Sequence, residues 1–320
     1  MNLVVMGEAL VDVVTGTSGK TQDLPGGSPA NVAVGLARLG RKPHLITSLG
    51  TDARGRSVTS WLEGAGVVPH VSAPPSGRTS TATVTLDKNG RASYEFNLGW
   101  DLDPVHAIEG AWAADVLHVG SIATVLEPGA NVIEQAVRSA HGRTLLTFDP
   151  NARPTITPDV DAARTRVERL VRLCSVVKVS DEDLQWYYPG ETPEVSARRW
   201  VEMGAPLVVV TLGSRGAIAV HRIVVDDVKK LSTVKVAGRK VSLVDTIGAG
   251  DTFMAGLIDA LVTLLFDESP RIGPRIIEDL TTADITRALT WANVAAAANC
   301  ESVGATPPTC EQVTAMVNAS

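Results

Sequence analysis

Apolar runs of strand length alternate with amphipathic helical patterns along most of the chain, and this limits the fold more than any other feature. The strand-length runs are 3–6, 44–49, 116–119, 145–148, 176–179, 207–212 and 217–220. The helical patterns are 29–39, 56–63, 130–140, 161–173, 194–203, 251–265 and 286–298. Runs of Val, Leu and Ile without polar alternation are strands buried on both faces. Interleaved with helices, they imply an α/β fold: a doubly wound, mostly parallel sheet with helices on both faces. Ligands of such sheets bind outside the carboxyl ends of the strands. With 320 residues and no repeat or low-complexity linker, the chain is expected to form a single domain over 1–320.

Two segments break the alternation, 12–25 and 78–98. The second alternates Thr and Val, reaches Asn89-Gly90 and returns through Ala92 to Phe96. Asn-Gly between β-prone runs is a strong hairpin signal. Both segments are expected to form a small β-sheet lid projecting from the main sheet; an ordinary edge hairpin is the alternative.

Composition narrows the function classes. A net charge of −6 argues against nucleic acid as a partner. No apolar run is expected to approach the roughly 20 residues of a membrane span. The first residues carry no basic region or cleavage site, and the three widely spaced cysteines match neither a disulfide framework nor a zinc pattern. A reducing, cytoplasmic setting is expected. An exposed edge of the lid sheet offers a surface through which two copies could pair as a homodimer.

The chemistry concentrates in Val244-Asp245-Thr246-Ile247-Gly248-Ala249-Gly250-Asp251-Thr252-Phe253. Small residues at a helix start let backbone N–H groups crowd together, and the unpaired amides and the macrodipole favour an anion. Asp251 beside a bound phosphate can take the proton from an attacking hydroxyl. The competing reading is an N-cap aspartate on an ordinary helix. Phe253 stands where a dinucleotide fingerprint needs its last small residue. A second glycine-rich stretch, Gly16 to Thr21, lacks the first glycine of a Walker loop and has Pro25 close behind it, so it reads as an exposed turn.

Gly26-Gly27-Ser28-Pro29-Ala30-Asn31 opens the first helix. Ser28 suits the N-cap, Pro29 the first helical position and Gly40 the far end. Small residues at 30, 33, 35 and 37 thin the helix so that it can approach the sheet, and Asn31 then sits at the ligand edge. A well-capped helix without a ligand is the alternative. His118 reads as a satisfied core histidine. Asp149-Pro150-Asn151-Ala152-Arg153 is a turn whose residues can also position phosphate and a divalent metal.

Together these stretches resemble the ribokinase-like (PfkB) carbohydrate kinases. Gly26-Gly27-Ser28-Pro29-Ala30-Asn31-Val32-Ala33 with Leu36-Ala37-Arg38-Leu39-Gly40 is similar to one family signature, and Asp245-Thr246-Ile247-Gly248-Ala249-Gly250-Asp251 to the other. The resemblance implies an ATP-dependent sugar kinase with Asp251 as general base and Gly248, Ala249 and Gly250 as the anion hole. Asp12, Gly27 and Asn31 would bind the sugar, and Arg153 would face the phosphate or substrate. Lys178, Ser180, Thr211, Gly213, Gly216 and Asn293 would lie on the nucleotide side, with Asp183 holding Mg2+ through water. Asp245, Ile247 and Gly304 would surround a monovalent cation such as K+. Leu49 to Gly55 matches a family turn with a structural role. Gly7-Glu8, His118-x-Gly-Ser, Asp149-Pro-Asn-x-Arg and Lys178-x-Ser-Asp-Glu look like the fructokinase branch, which makes fructose the expected substrate. A ketodeoxygluconate, ribose or nucleoside substrate is the alternative within the family, and a catalytically silent sugar- or nucleotide-binding regulator the alternative outside enzymes.

Overall fold

A computed structural model describes residues 1–15, 21–86, 92–225, 228–267 and 277–319. The chain opens with β1 (Leu3–Met6), β2 (Leu10–Thr15), β3 (Thr21–Gly26), α1 (Ser28–Arg38), β4 (Pro43–Ser48), α2 (Ala53–Gly64) and β5 (Val68–Ser72). It continues through β6 (Thr81–Leu86), β7 (Ala92–Asn97), α3 (Pro104–Ala113), β8 (Val116–Gly120), α4 (Gly129–Ala140), β9 (Leu145–Asp149), α5 (Val160–Val171) and β10 (Val176–Ser180). Next come α6 (Asp181–Tyr187), α7 (Pro193–Met203), β11 (Leu207–Thr211), β12 (Ala217–Val225), β13 (Val228–Val236), α8 (Ala249–Val262), α9 (Thr282–Asn299) and α10 (Cys310–Asn318).

The large sheet has nine strands in the order β13-β12-β11-β10-β9-β8-β1-β4-β5. Strands β11 through β5 run parallel, and β12 and β13 turn back antiparallel at one edge. The pleat explains the uninterrupted apolar runs. Val5 and Val209 face one core with Leu36, Leu257 and Leu289, while Val4, Met6, Val208 and Val210 face the other with Ile133, Val167 and Trp200. Both faces of each strand are covered, so no polar alternation is selected.

All seven strand-length runs and all seven helical patterns form elements of the expected type, with ends shifted by a few residues. Elements α3, β5, α6, β13 and α10 are additional. The short apolar run that enters the glycine-rich stretch, 241–244, is not a strand, and its Leu243 and Val244 are exposed. Ser28 is not the N-cap of α1; Gly27 takes that place at φ 106, where a side chain would be strained, and Ser28 becomes the first helical residue. Helix α8 continues as a π-turn, Thr263–Asp267. Contrary to expectation, Ala249–Asp267 is long and apolar enough to cross a membrane by length and composition, yet 78% of that window is buried. It packs between α1 and α9 as a core helix, where each fully buried Leu or Ile contributes roughly 1.5–3 kcal/mol.

A second sheet has the order β3-β2-β6-β7, with β2 and β6 parallel and the outer pairs antiparallel. It is built from the two expected segments. The predicted turn at Asn89-Gly90 and the glycine-rich stretch 16–20 lie outside the described residues. Ser80 ties the two feet of this sheet together: its hydroxyl donates to the Gly99 carbonyl and accepts from the Gly99 amide, both at 3.0 Å. Asp52 caps α2 by accepting from Gly55 N at 2.8 Å and also holds Thr79 N at 3.0 Å, so the 49–55 turn has the structural role expected of it.

Candidate active site

The start of α8 meets the start of α1 at the carboxyl ends of β1, β8 and β9. Gly248 is left-handed at φ 73, and a β-carbon there would stand 2.6 Å from Ala305 Cβ, so the turn needs glycine. Asp251 is not an N-cap. It lies in the first turn, is buried, and gives its carboxylate to other elements. Ser28 Oγ donates to Oδ1 at 2.7 Å and Asn31 Nδ2 to Oδ2 at 2.8 Å. Asn151 Nδ2 donates to Ser28 Oγ at 2.8 Å and reaches Asp251 Oδ1 at 3.4 Å. One carboxylate is thus aimed by two elements beyond its own helix. Of the three expected anion-hole amides, Ala249 N–H is turned back to Thr246 O at 3.2 Å.

A buried ionic cluster lies below this helix start. Lys178 Nζ donates to Asp149 Oδ2 at 2.8 Å, with 4% and 1% of the side chains exposed. A β-carbon on Gly250 would come within 3.2 Å of the same ammonium, so glycine lets the backbone at the start of α8 approach it. Burial pushes the Asp149 carboxyl up to about 6 against the attraction of Lys178, and Asp183 and Asp251 push it further. Asp183 is also raised by burial. Asp149 Oδ1 is buried with no hydrogen-bond partner. His118 donates to or accepts from Thr147 Oγ1 at 3.0 Å, and burial first and Lys178 second pull it down to about 3. It is a neutral core histidine, as expected.

Above these groups opens a cavity of about 700 Å³, walled by both sheets. Glu8, Asp12, Arg153 and Asp251 are the ionisable groups lining it, with Asn31 among its other polar residues, and Ala82 and Phe96 reach it from the small sheet. Gly27 lines it as well; a β-carbon there would stand 2.6 Å from Glu8 O. Asp12 is raised by burial against the pull of Arg153. Burial likewise pushes Glu8 up to about 7. Arg153 donates from Nη1 to Asn151 Oδ1 at 2.6 Å, which fixes the guanidinium at the rim.

Of the residues expected on the nucleotide side, Ser180, Thr211, Gly213 and Gly216 gather along the neighbouring strand ends, while Lys178 lies within β10 in the buried pair and Asn293 on α9. Ser180 and Thr211 stand side by side in the parallel register of β10 and β11. Ser180 Oγ caps α6 by accepting from Asp183 N at 3.0 Å. Gly213 and Gly216 form a left-handed turn into β12, at φ 56 and 97. Asn293 donates to Ala237 O at 2.7 Å, joining α9 to the segment after β13. Asp245 accepts from Ile247 N at 3.0 Å and Gly304 N at 2.9 Å, and Asn299 donates to Ile247 O at 2.8 Å. Asp245, Ile247 and Gly304 are therefore brought together.

Comparison with known proteins decides the family. Residues 1–312 match the pfkB family carbohydrate kinase domain. The chain belongs to the pfkB family of carbohydrate kinases. This kinase is 34% identical over 269 residues to the fructokinase of Salmonella typhimurium, covering 80% of the chain and 83% of the relative. The crystal structure of a Vibrio cholerae fructokinase with fructose, ADP and calcium bound matches with a TM-score of 0.78 at 28% identity, covering 98% of each chain. The fructokinase of Xylella fastidiosa with bound ATP shares the fold, with a TM-score of 0.84 at 24% identity over 99% of this chain and 98% of that one.

Sequence reasoning misses the part of Ser28, which reads as a cap, and reaches Glu8 only through a family likeness. Asp149 and Asn151 read as a turn that can also position phosphate and metal, but not as the partners of Lys178 and Ser28. Gly27 occupying the cap position was the one local signal available, since paired glycines before Ser28 free the serine for another task. Nothing local to Ser28 tells that Asp251 lies against it.

Proposed function

We propose that this kinase is an ATP-dependent fructokinase that transfers the γ-phosphate of ATP to a primary hydroxyl of the sugar. One observation carries this: Asp251, at the start of α8, faces a polyol-sized cavity with its carboxylate aimed by Ser28 and Asn31. The sugar hydroxyl gives its proton to Asp251 as its oxygen attacks the γ-phosphorus in line. The new O–P bond forms, the bond to the β-phosphate bridging oxygen breaks, and ADP leaves. Amides at Gly248 and Gly250, with the α8 dipole and Lys178 beneath, oppose the charge developing on the transferred group. Closure of the small sheet excludes water, which would otherwise accept the phosphoryl group.

Three carboxyl groups, Glu8, Asp12 and Asp251, face one cation, Arg153, across the described polar surface of the cavity. That arrangement favours a neutral polyol, whose hydroxyls can pair with carboxyl groups in either protonation state, over a ketodeoxygluconate, whose own carboxylate would find Arg153 as the one cation. The similarity to fructokinases at 28–34% identity supports fructose.

Among the described residues no group of three or more His, Cys, Asp or Glu is placed to hold a metal. The unpartnered Asp149 Oδ1 beside Asp183 nevertheless fits a hydrated divalent ion, because Mg2+ keeps several waters and takes its other ligands from phosphate. Asp183 and Asp149 would hold it through water, where it would supply charge neutralisation on the phosphates. A K+ near Asp245, Ile247 and Gly304 would steady the anion-hole turn. The free cysteines fit a cytoplasmic enzyme, and pairing of two copies through the small sheet completes the reading.

Release of ADP with a panel of sugars tests the proposal. Turnover highest with fructose is expected. Binding of sugar and ATP with no ADP released from any sugar would favour the silent regulator.

A further inference from the structure

Only two non-glycine residues among those described have positive φ, and both line the sugar cavity: Ser121 at φ 58 and Asn151 at φ 40. They stand at the carboxyl ends of adjacent strands, and Ser121 N donates to Asp149 O at 2.8 Å. At ψ −156, Ser121 occupies backbone space that belongs essentially to glycine. Such a conformation persists only where neighbours over-determine it. Thr124 holds the Ser121 carbonyl from Oγ1 at 2.8 Å and from its amide at 3.1 Å. The 3-10 turn that follows, Ile122–Thr124, is pinned from both sides. Ala123 N donates to Glu8 Oε2 at 3.1 Å, and Trp100 Nε1 donates to Ala123 O at 2.9 Å. The Ser121 side chain also stands against the Glu8 carboxyl, where it opposes the rise that burial imposes. Glu8 lies between β1 and β2, where the chain leaves the large sheet for the small one, four positions before Asp12.

A glycine at 121 would form this turn without strain. A serine in that backbone is explained by its side chain, and that side chain serves Glu8. Resting on the fructokinase reading, we propose that Glu8 binds a sugar hydroxyl and that Ser121 is the positioning residue that aims it. Glu8 is 5% exposed and Ser121 3%, so neither orientation is free to drift in solvent. The carboxyl faces the cavity with Asp12 from β2, Asp251 from α8 and Arg153 from the segment after β9. Asp251 receives the reacting hydroxyl, while Glu8 and Asp12 hold the rest of the polyol. A buried acid that keeps its proton can both donate and accept, which suits a hydroxyl partner.

Initial rates with fructose and ATP varied separately, together with melting temperatures, test this on the full chain. Ser121→Gly is expected to melt no lower than wild type, because the backbone relaxes, yet to raise the fructose KM about tenfold with the ATP KM within about twofold. Glu8→Ala is expected to raise the fructose KM more, and Glu8→Gln to recover part of the loss, since its amide oxygen still accepts from Ala123. Fructose KM in wild type is expected to rise as pH passes about 7, and Glu8→Gln to lose that dependence. Wild-type turnover of fructose with unchanged fructose KM in these variants, or equal changes in both KM values, overturns the inference and leaves the kinase reading standing. No wild-type turnover with any sugar overturns both.

Discussion

Asn31 and Asp251 lie 220 positions apart, and the Asn31 amide donates to Asp251 Oδ2 at 2.8 Å. The same carboxylate accepts from Ser28 through its other oxygen. Each family signature thus contributes one half of a single arrangement, a carboxylate and the donors that aim it.

Asp251→Asn keeps the shape and these neighbours but removes the proton acceptor. It is expected to lower kcat by about two to four orders of magnitude while sugar binding stays near wild type. Steady-state rates and fructose titration calorimetry check this; near-normal turnover would sink the assignment.

Asn31→Ala leaves the carboxylate free to rotate. A hydrogen bond to a charged group is worth about 1.5–3 kcal/mol, so kcat/KM is expected to fall about tenfold to a hundredfold. Asn31→Asp is expected to do worse, because it sets two acids face to face. Equal activity of the two variants would deny Asn31 its aiming role.

Lys178→Met leaves Asp149 buried and uncompensated. Removing one partner of a buried pair costs about 3–5 kcal/mol, so a marked fall in melting temperature is expected. Adding Asp149→Leu is expected to restore much of the stability but not the activity. Stability that stays low in the double variant would show that the loss is not one of charge pairing.

Gly248→Ala forces a side chain into a left-handed position and against Ala305. A cost of about 1–3 kcal/mol is expected, with ATP KM raised more than fructose KM, because the proposed anion hole lies in this turn. Equal shifts in both KM values would place the turn elsewhere in the reaction.

Glu8 has its proton held in the fold up to about pH 7, whereas the unfolded chain releases it near 4.5. Between these values the folded state binds more protons, so its stabilising contribution is complete at low pH and is lost as pH rises through 7. Subtracting the Glu8→Gln stability curve from that of wild type is expected to leave a slope of up to about 1.4 kcal/mol per pH unit in that window. A flat difference would mean that Glu8 titrates normally.

Much of this protein follows from local pattern. Buried strands and amphipathic helices have periods imposed by the backbone, so seven strands, seven helices and the small-sheet segments were legible from residue order. The place of Asp251 was legible too, because a glycine-rich stretch before an apolar helical pattern marks a helix start, and Asp251 lies in its first turn beside the cavity. The elements that escaped have weak local signals: β5 is a half-exposed edge strand, and α3 is short and rich in alanine.

What the chain order could not decide was which side chains meet. Ser28 looked like a cap because serine before proline usually is one; only the packing of α1 against α8 turns its hydroxyl onto Asp251. Lys178 meets Asp149 because β10 lies beside β9, and Glu8 meets Ser121 because β1 lies beside β8. Secondary structure is written in contacts a few residues long, but a site of this kind is made by strand order and crossovers, which join residues from 29 to 223 positions apart.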